Sequence, residues 1–186
     1  LLRHVTLSGE GEPTLCPVFV DAVKTVVHSR ARGRVPFFKL VLITNASGLA
    51  TPAVEEGLRL FTAHDEIWAK LDGGTQAWMD RVNKPKPDCA IETILANILA
   101  LARRRPVVIQ SLFPSIKDIG PAREEIEAYV QRLKALQEAG ANIPLVQIYS
   151  ATRPTAYSES GHLTLRCLSR IAQRVRDAAG LHAEVF

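Results

Sequence analysis

The feature that most constrains this chain is an alternation. Short β-rich apolar runs take turns with longer segments whose apolar residues recur at helical spacing. The strand candidates are 4–8 (HVTLS), 39–44 (KLVLIT), 66–71 (EIWAKL), 107–113 (VVIQSLF) and 144–149 (PLVQIY), with a weaker sixth at 182–186 (HAEVF). Between them, Val18, Phe19, Ala22, Val23, Val26 and Val27 share one stripe, and Ile126, Tyr129, Val130, Leu133 and Leu136 share another. The punctuation agrees. Thr51-Pro52 predicts an N-cap followed by Pro at the first helical position. Asp88 is placed to cap a helix carrying Ile91, Ile94, Leu95, Ile98 and Leu99. Pro121 and Gly140 bracket a third helix, Thr164 and Gly180 a fourth. Strand then helix, repeated about five times, demands parallel strands joined by right-handed crossovers. The fold class is α/β, and 186 residues, 47% of them hydrophobic, make one domain (1–186) with a sizeable core.

An open doubly wound sheet and a (β/α) barrel both satisfy that alternation. The polar residues favour the barrel. Thr6 and Ser8 alternate with Val5 and Leu7, and Lys70 and Asp72 with Ala69 and Leu71. Gln110 sits between Ile109 and Ser111, while Gln147 and Tyr149 alternate with Val146 and Ile148. Side chains in a strand repeat with period two, so each polar set faces one side. Polar groups from several strands on one inner face predict a TIM-like (β/α) barrel with a functional mouth at the C-terminal strand ends. The loops after strands are long and rich in special residues, notably 73–88 and 151–162. The basic clusters 30–34 (RARGR) and 103–105 (RRR) fall at the other end and read as solvated charge near helix C-termini. The net charge of +4 permits an anionic ligand without requiring one. No apolar run approaches the ~18 residues of a membrane span, and no basic start leads into an apolar leader. Cys16, Cys89 and Cys167 have neither disulfide-framework nor metal-ligand spacing and read as plain thiols of a cytoplasmic protein.

Three segments carry candidate chemistry. The first is Ser8-Gly9-Glu10-Gly11-Glu12-Pro13. Glycines after a strand let a ligand approach the backbone closely. Carboxylates beside them make an acceptor-rich edge, suited to an ammonium group and unsuited to a phosphate, which wants N–H donors and usually a Lys. A solvated glycine-rich turn would look the same by spacing. The second is Asn45 at the end of the second strand, able to donate and accept. The third is the pair Lys70 and Asp72 on one face of the third strand. A Lys on an inner barrel wall needs a partner, and Asp72 is the obvious one. A purely structural ion pair would look the same.

In this order, "GEGEP", "TNASGL" and "AKLDGGT…RVNKP" together resemble the radical S-adenosylmethionine (SAM) superfamily, in particular its wyosine-synthase-like and organic-radical-activating branches. The later "QSLF" and "QIYSATRP" extend the resemblance over nearly the whole chain. "GEGEP" is similar to the family's Gly-Gly-Glu motif, which holds the methionyl ammonium; the matching residues are Gly9, Glu10, Gly11 and Glu12. "TNASGL" is similar to a Thr-Asn-Gly-type strand, with Ala46 where Gly is usual. The resemblance implies that Asn45, Lys70 and Asp72 orient the SAM carboxylate or ribose. It also implies that Gln110, Gln147, Tyr149 and Arg153 face the mouth toward SAM or substrate. Its chemistry would belong to a [4Fe–4S] cluster, which cleaves SAM to a 5′-deoxyadenosyl radical that abstracts hydrogen from substrate. The substrate is open, whether a modified RNA base, a protein glycyl site or a metabolite.

One departure stands out. The family's cluster sits on a Cys-x-x-x-Cys-x-x-Cys loop after its first strand, and none is present. The chain has no initiator Met and opens three residues from an apparent strand. The expectation is therefore a barrel without its first βα unit, inactive alone, whose first strand is left with an open edge. Two other readings compete. One is a cluster-less domain that keeps the SAM pocket as a binding module. The other is a Schiff-base lyase in which Lys70 attacks a carbonyl.

Overall fold

The computed structural model describes residues 2–9, 11–84, 89–151 and 159–186. Six strands form one parallel sheet: β1 (His4–Leu7), β2 (Lys39–Thr44), β3 (Glu66–Lys70), β4 (Val108–Leu112), then, past a two-residue strand β5 (Ser115–Ile116), β6 (Val146–Tyr149), and, past β7 (Ser160–Gly161), β8 (Ala183–Val185). Their order in space is their order in sequence, with β5 and β7 set apart as a small antiparallel pair. A doubly wound sheet reverses direction part-way. This one never does, so successive right-handed crossovers lay every helix on the same side. The result is a partial barrel wall with β1 and β8 at its edges. As expected, β1 pairs with β2 alone among the described residues.

The helices are α1 (Phe19–Ala31), α2 (Pro52–Leu58), α3 (Gln76–Asn83), α4 (Ile91–Ala102), α5 (Arg123–Glu138) and α6 (Leu165–Ala179). The buried core shows which sheet face they cover. Leu40, Leu42, Ile67, Ala69, Ile109, Val146, Ile148 and Ala183 pack with Phe19, Val54, Met79, Ile98, Tyr129 and Ile171 from all six helices in one cluster. The alternate residues Glu66, Trp68, Lys70, Gln110 and Tyr149 are only half-buried and form the concave wall. Period two thus separates core from site along each strand.

Local signals explain most boundaries. Thr164 accepts from Cys167 N to cap α6, and Gly180 ends it at φ +67°. Pro121 lies just before α5, and Gly140, at φ +90°, just past its end. Thr51 holds the N-cap position of α2, but its hydroxyl donates to Gly48 O instead of accepting a cap bond. Asp88 lies outside the described residues, and α4 starts after Ala90. Helix α3 was not expected: it grows out of the long loop after β3, capped by Thr75.

The basic clusters correct one expectation. Arg30 is not solvated. Its guanidinium forms a two-pronged pair with Asp65 at 2.6 and 3.0 Å, and the Asp65 side chain is fully buried. Asp65 also accepts from Leu40 N, Thr62 N and Thr62 Oγ1. Half-buried Arg105, from the second cluster, donates to the carbonyls of Leu58, Thr62 and Asp65. One arginine from each cluster therefore ties the loop before β3 to the N-terminal end of the barrel. The remainder of each cluster is exposed.

Candidate functional site

At the C-terminal strand ends the "GEGEP" turn folds back over β2, and Glu12 makes it do so. Its carboxylate accepts from Thr14 N at 3.1 Å, Thr14 Oγ1 at 2.6 Å and Thr44 Oγ1 at 2.5 Å, and its other oxygen accepts from Asn45 N at 2.6 Å. Most of its acceptor capacity is thus spent on the protein itself. Glu12 caps the short 3-10 turn Pro13–Leu15 and fixes the turn to the end of β2. Gly9 and Gly11 have different surroundings. Neither needs positive φ, and a Cβ built on either meets nothing within 4 Å. No internal packing reason for these glycines exists among the described residues; their bare backbone faces open space. Ser8, Gly9, Gly11 and Glu12 line a recess of about 310 Å3 with Leu7, Pro13, Cys16 and Phe19. Glu10 lies outside the described residues.

Beside Glu12, a second cavity of about 240 Å3 is lined by Asn45, Lys70, Leu71, Asp72, Met79, Asn83, Cys89 and Ile94. The hydrogen bond from Asn45 N to Glu12 links a residue lining the first recess to one lining the second. Lys70 reaches Asp72 Oδ2 at 3.4 Å. The Asp72 carboxylate, helped by Tyr149, holds the Lys70 ammonium above the ordinary lysine range against the opposing effect of burial. Burial, with Asp72 adding to it, pushes the Tyr149 phenol up while Lys70 pulls it down. Burial, then the charge of Glu12, pushes the Cys89 thiol up. Asp72 is fixed from behind: Oδ1 accepts from Leu112 N at 2.8 Å, and its backbone carbonyl accepts from Trp78 Nε1 at 3.1 Å. Its Oδ2 is buried without a hydrogen bond among the described residues.

The loop after β3 is anchored by a residue sequence reasoning missed. Glu125, buried at the start of α5, accepts from Gly74 N and Thr75 Oγ1, each at 2.5 Å, and from Thr75 N at 3.3 Å. A side chain at Gly74 would collide with the Tyr129 backbone. Nothing in the sequence marks a carboxylate fifty residues away as the loop's partner. Thr44, next to Asn45, is the other omission; its place beside a motif residue was the available signal.

Farther along the concave wall, Gln110 donates to Gln147 at 3.1 Å. Glu12, Asn45, Asp72 and Gln147 were expected around one cavity, but Glu12 lines the neighbouring recess and Gln147 stands apart as well. It lines instead a larger one, about 730 Å3, with Lys39, Glu66, Val108 and Arg105, because the wall continues past it toward the N-terminal strand ends. Arg153 lies outside the described residues.

Comparison with known proteins can now be set beside this geometry. No family model matches the chain, and no curated protein matches it. Solved structures do. A domain of pyruvate-formate lyase-activating enzyme from Bacteroides vulgatus superposes with a TM-score of 0.68 at 19% identity, covering 99% of each chain. A radical SAM methyltransferase from Sphaerobacter thermophilus gives 0.65 at 17% identity over 100% of this chain and 51% of that one. The chain shares the fold of these structures. SuiB from Streptococcus suis, solved with S-adenosylmethionine bound, gives 0.69 at 15% identity over 98% of this chain and 39% of that one. The chain thus spans the first of these structures and about half or less of the other two.

The sequence resemblance implies two groups, SAM and a [4Fe–4S] cluster, and the residues differ in how they suit each. For SAM the donor set suits: a bare glycine backbone open to a ligand, an obligate ammonium at Lys70, and amides and a phenol beyond it. For a [4Fe–4S] cluster it does not. Cys16 precedes α1, Cys89 precedes α4 and Cys167 lies on α6. No group of three His, Cys, Asp or Glu among the described residues could hold a metal ion. Among those residues, also, no helix is long and apolar enough to cross a membrane.

Proposed function

We propose that this chain is a SAM-binding core of a radical SAM enzyme, whose cluster ligands are not among the described residues. The observation that carries the reading is an open, side-chain-free turn at Gly9 and Gly11, tied through the Asn45–Glu12 hydrogen bond to the strand end whose next cavity holds the Lys70–Asp72 pair. The SuiB structure, which holds SAM in the same fold, supports it.

The division of labour follows from the contacts. The carbonyls of the glycine turn would accept from the methionyl ammonium, as Glu12 keeps the turn in shape. Lys70, held protonated by Asp72, would meet the carboxylate. Asn45, Gln110 and Tyr149 would orient the remainder and keep water from it. Bound SAM would supply a sulfonium, and its cleavage to a hydrogen-abstracting radical would need one electron from a cluster that the described residues do not hold. Gln147 completes the wall on this reading, Arg153 is assigned toward SAM or substrate by the sequence resemblance alone, and the substrate is an RNA, a protein or a metabolite. The same Lys70 geometry weighs against the Schiff-base reading. A nucleophilic lysine must lose its proton, and Asp72 makes that harder.

The test is titration calorimetry with SAM. Wild-type protein should bind. Lys70→Met should weaken binding about tenfold or more, the usual worth of a charged hydrogen bond. Unchanged affinity in Lys70→Met, or no binding by the wild type, would count against the site.

A further inference from the structure

We propose that the concave wall has a second recognition end, Glu184 with His182 on β8, which binds a protonated amine or guanidinium of the substrate. The proposal rests on the reading that SAM takes the Lys70 end. Strand register carries it. Lys70 is the partner of Gln110, Gln110 of Gln147, and Gln147 of Glu184. Their strand neighbours Ala69, Ile109, Val146 and Ala183 are all packed in the core under the helices. All four polar residues therefore project from the opposite face, in one row across four strands. At ~4.8 Å per strand the ends of the row lie roughly 14 Å apart. The two central amides bond to each other. Rows of Trp68 with Val108, and of Leu112 with Tyr149, flank the strip on either side.

The charges on this face then single out one residue. Glu66 is matched by Lys39 at 2.7 Å and by Trp68 Nε1 at 2.9 Å. Asp72 has Lys70. Glu12 is filled by Thr14, Thr44 and Asn45. Glu184 has His182 Nε2 at 2.8 Å and no Lys or Arg partner among the described residues. A histidine is not an obligate cation. Its hydrogen bond orients the carboxylate and leaves the second oxygen for a ligand. The Glu184 side chain is 51% exposed, so a ligand can reach it. A strip with an ammonium at one end, a carboxylate at the other and amides between selects a molecule of the complementary polarity. With SAM at the Lys70 end, the substrate supplies the cation.

The probe is agmatine, followed by amide chemical shifts in isotope-labelled protein. Acetyl-Gly-Arg-Gly-amide is the second arm and glutarate the anionic control. Agmatine or the peptide should shift the amides of 182–185, and Glu184→Gln should weaken that effect about tenfold or more. The tighter arm identifies a free amine or a basic peptide side chain as the source. Glutarate should shift nothing there. The proposal is overturned if neither cation shifts 182–185, if Glu184→Gln binds equally well, or if glutarate does the same. Lys70→Met separates the two readings. It should weaken SAM and leave agmatine at β8 unaffected. A wild type that takes agmatine at Glu184 but ignores SAM would strike the SAM reading alone.

Discussion

The barrel carries a buried aspartate paired with a basic side chain at each end, and the two pairs are built differently. At the N-terminal end Asp65 accepts five hydrogen bonds, two of them from Arg30. At the C-terminal mouth Asp72 accepts one, from Leu112 N, and its other oxygen has only Lys70 at 3.4 Å. Both carboxylates are equally removed from water. One is saturated by the fold; the other is left partly unpaired beside a cavity. A fully satisfied buried pair rigidifies, and an under-satisfied one is a cost that a fold bears where a ligand is to be met. The first is the barrel's fastening and the second belongs to its site.

Breaking the fastening should give the largest effect. Asp65→Ala strands Arg30 and three further donors, and should cost about 3–5 kcal/mol in denaturant unfolding. Asp72→Asn keeps the acceptor for Leu112 N and removes a charge already poorly paired. It should cost about 1 kcal/mol or less while weakening SAM. Equal stability losses in the two variants would erase the distinction.

Acid should loosen the Asp65 fastening. Burial alone would raise the Asp65 carboxyl; the Arg30 guanidinium and the backbone donors outweigh it and hold its pKa at about 2, below the ordinary 3.8. A carboxyl depressed in the folded state stabilises above its unfolded pKa, and that stability is lost as pH falls through the folded value. About 2 kcal/mol should disappear between pH 4 and pH 2. Asp65→Asn should flatten that part of the stability curve.

The smallest stability effect is expected in the glycine turn. Gly9→Ala meets empty space and should change stability by less than about 0.5 kcal/mol. It should nonetheless weaken SAM, because the new methyl stands where the ligand approaches. Gly74→Ala, against the Tyr129 backbone, should do the opposite and destabilise strongly.

The sequence disclosed these two ends unequally. Period two in the strands showed the core face and the concave face, and the caps at Thr164 and Gly180 showed where α6 begins and ends. Lys70 and Asp72 were legible because they lie two residues apart at the end of one strand. The Arg30–Asp65 pair was not, since 35 residues separate its members and arginine-rich clusters usually lie in solvent. Glu125 was hidden for the same reason. Glu12 was found, but its bonds divide between its own turn and the end of β2, something no spacing could reveal. Helix α3 was missed because its residues sit in a loop rich in Gly and Pro, where its anchoring comes from α5.

The central claim is that the C-terminal mouth, and not the larger cavity at the N-terminal end, takes SAM. Amide shift mapping with SAM tests it directly. Shifts should cluster at Gly9, Gly11, Asn45 and Lys70 to Asp72, with 62–65 and 104–105 unmoved. Shifts concentrated at 62–65 and 104–105, or none at the mouth at saturating SAM, would contradict it.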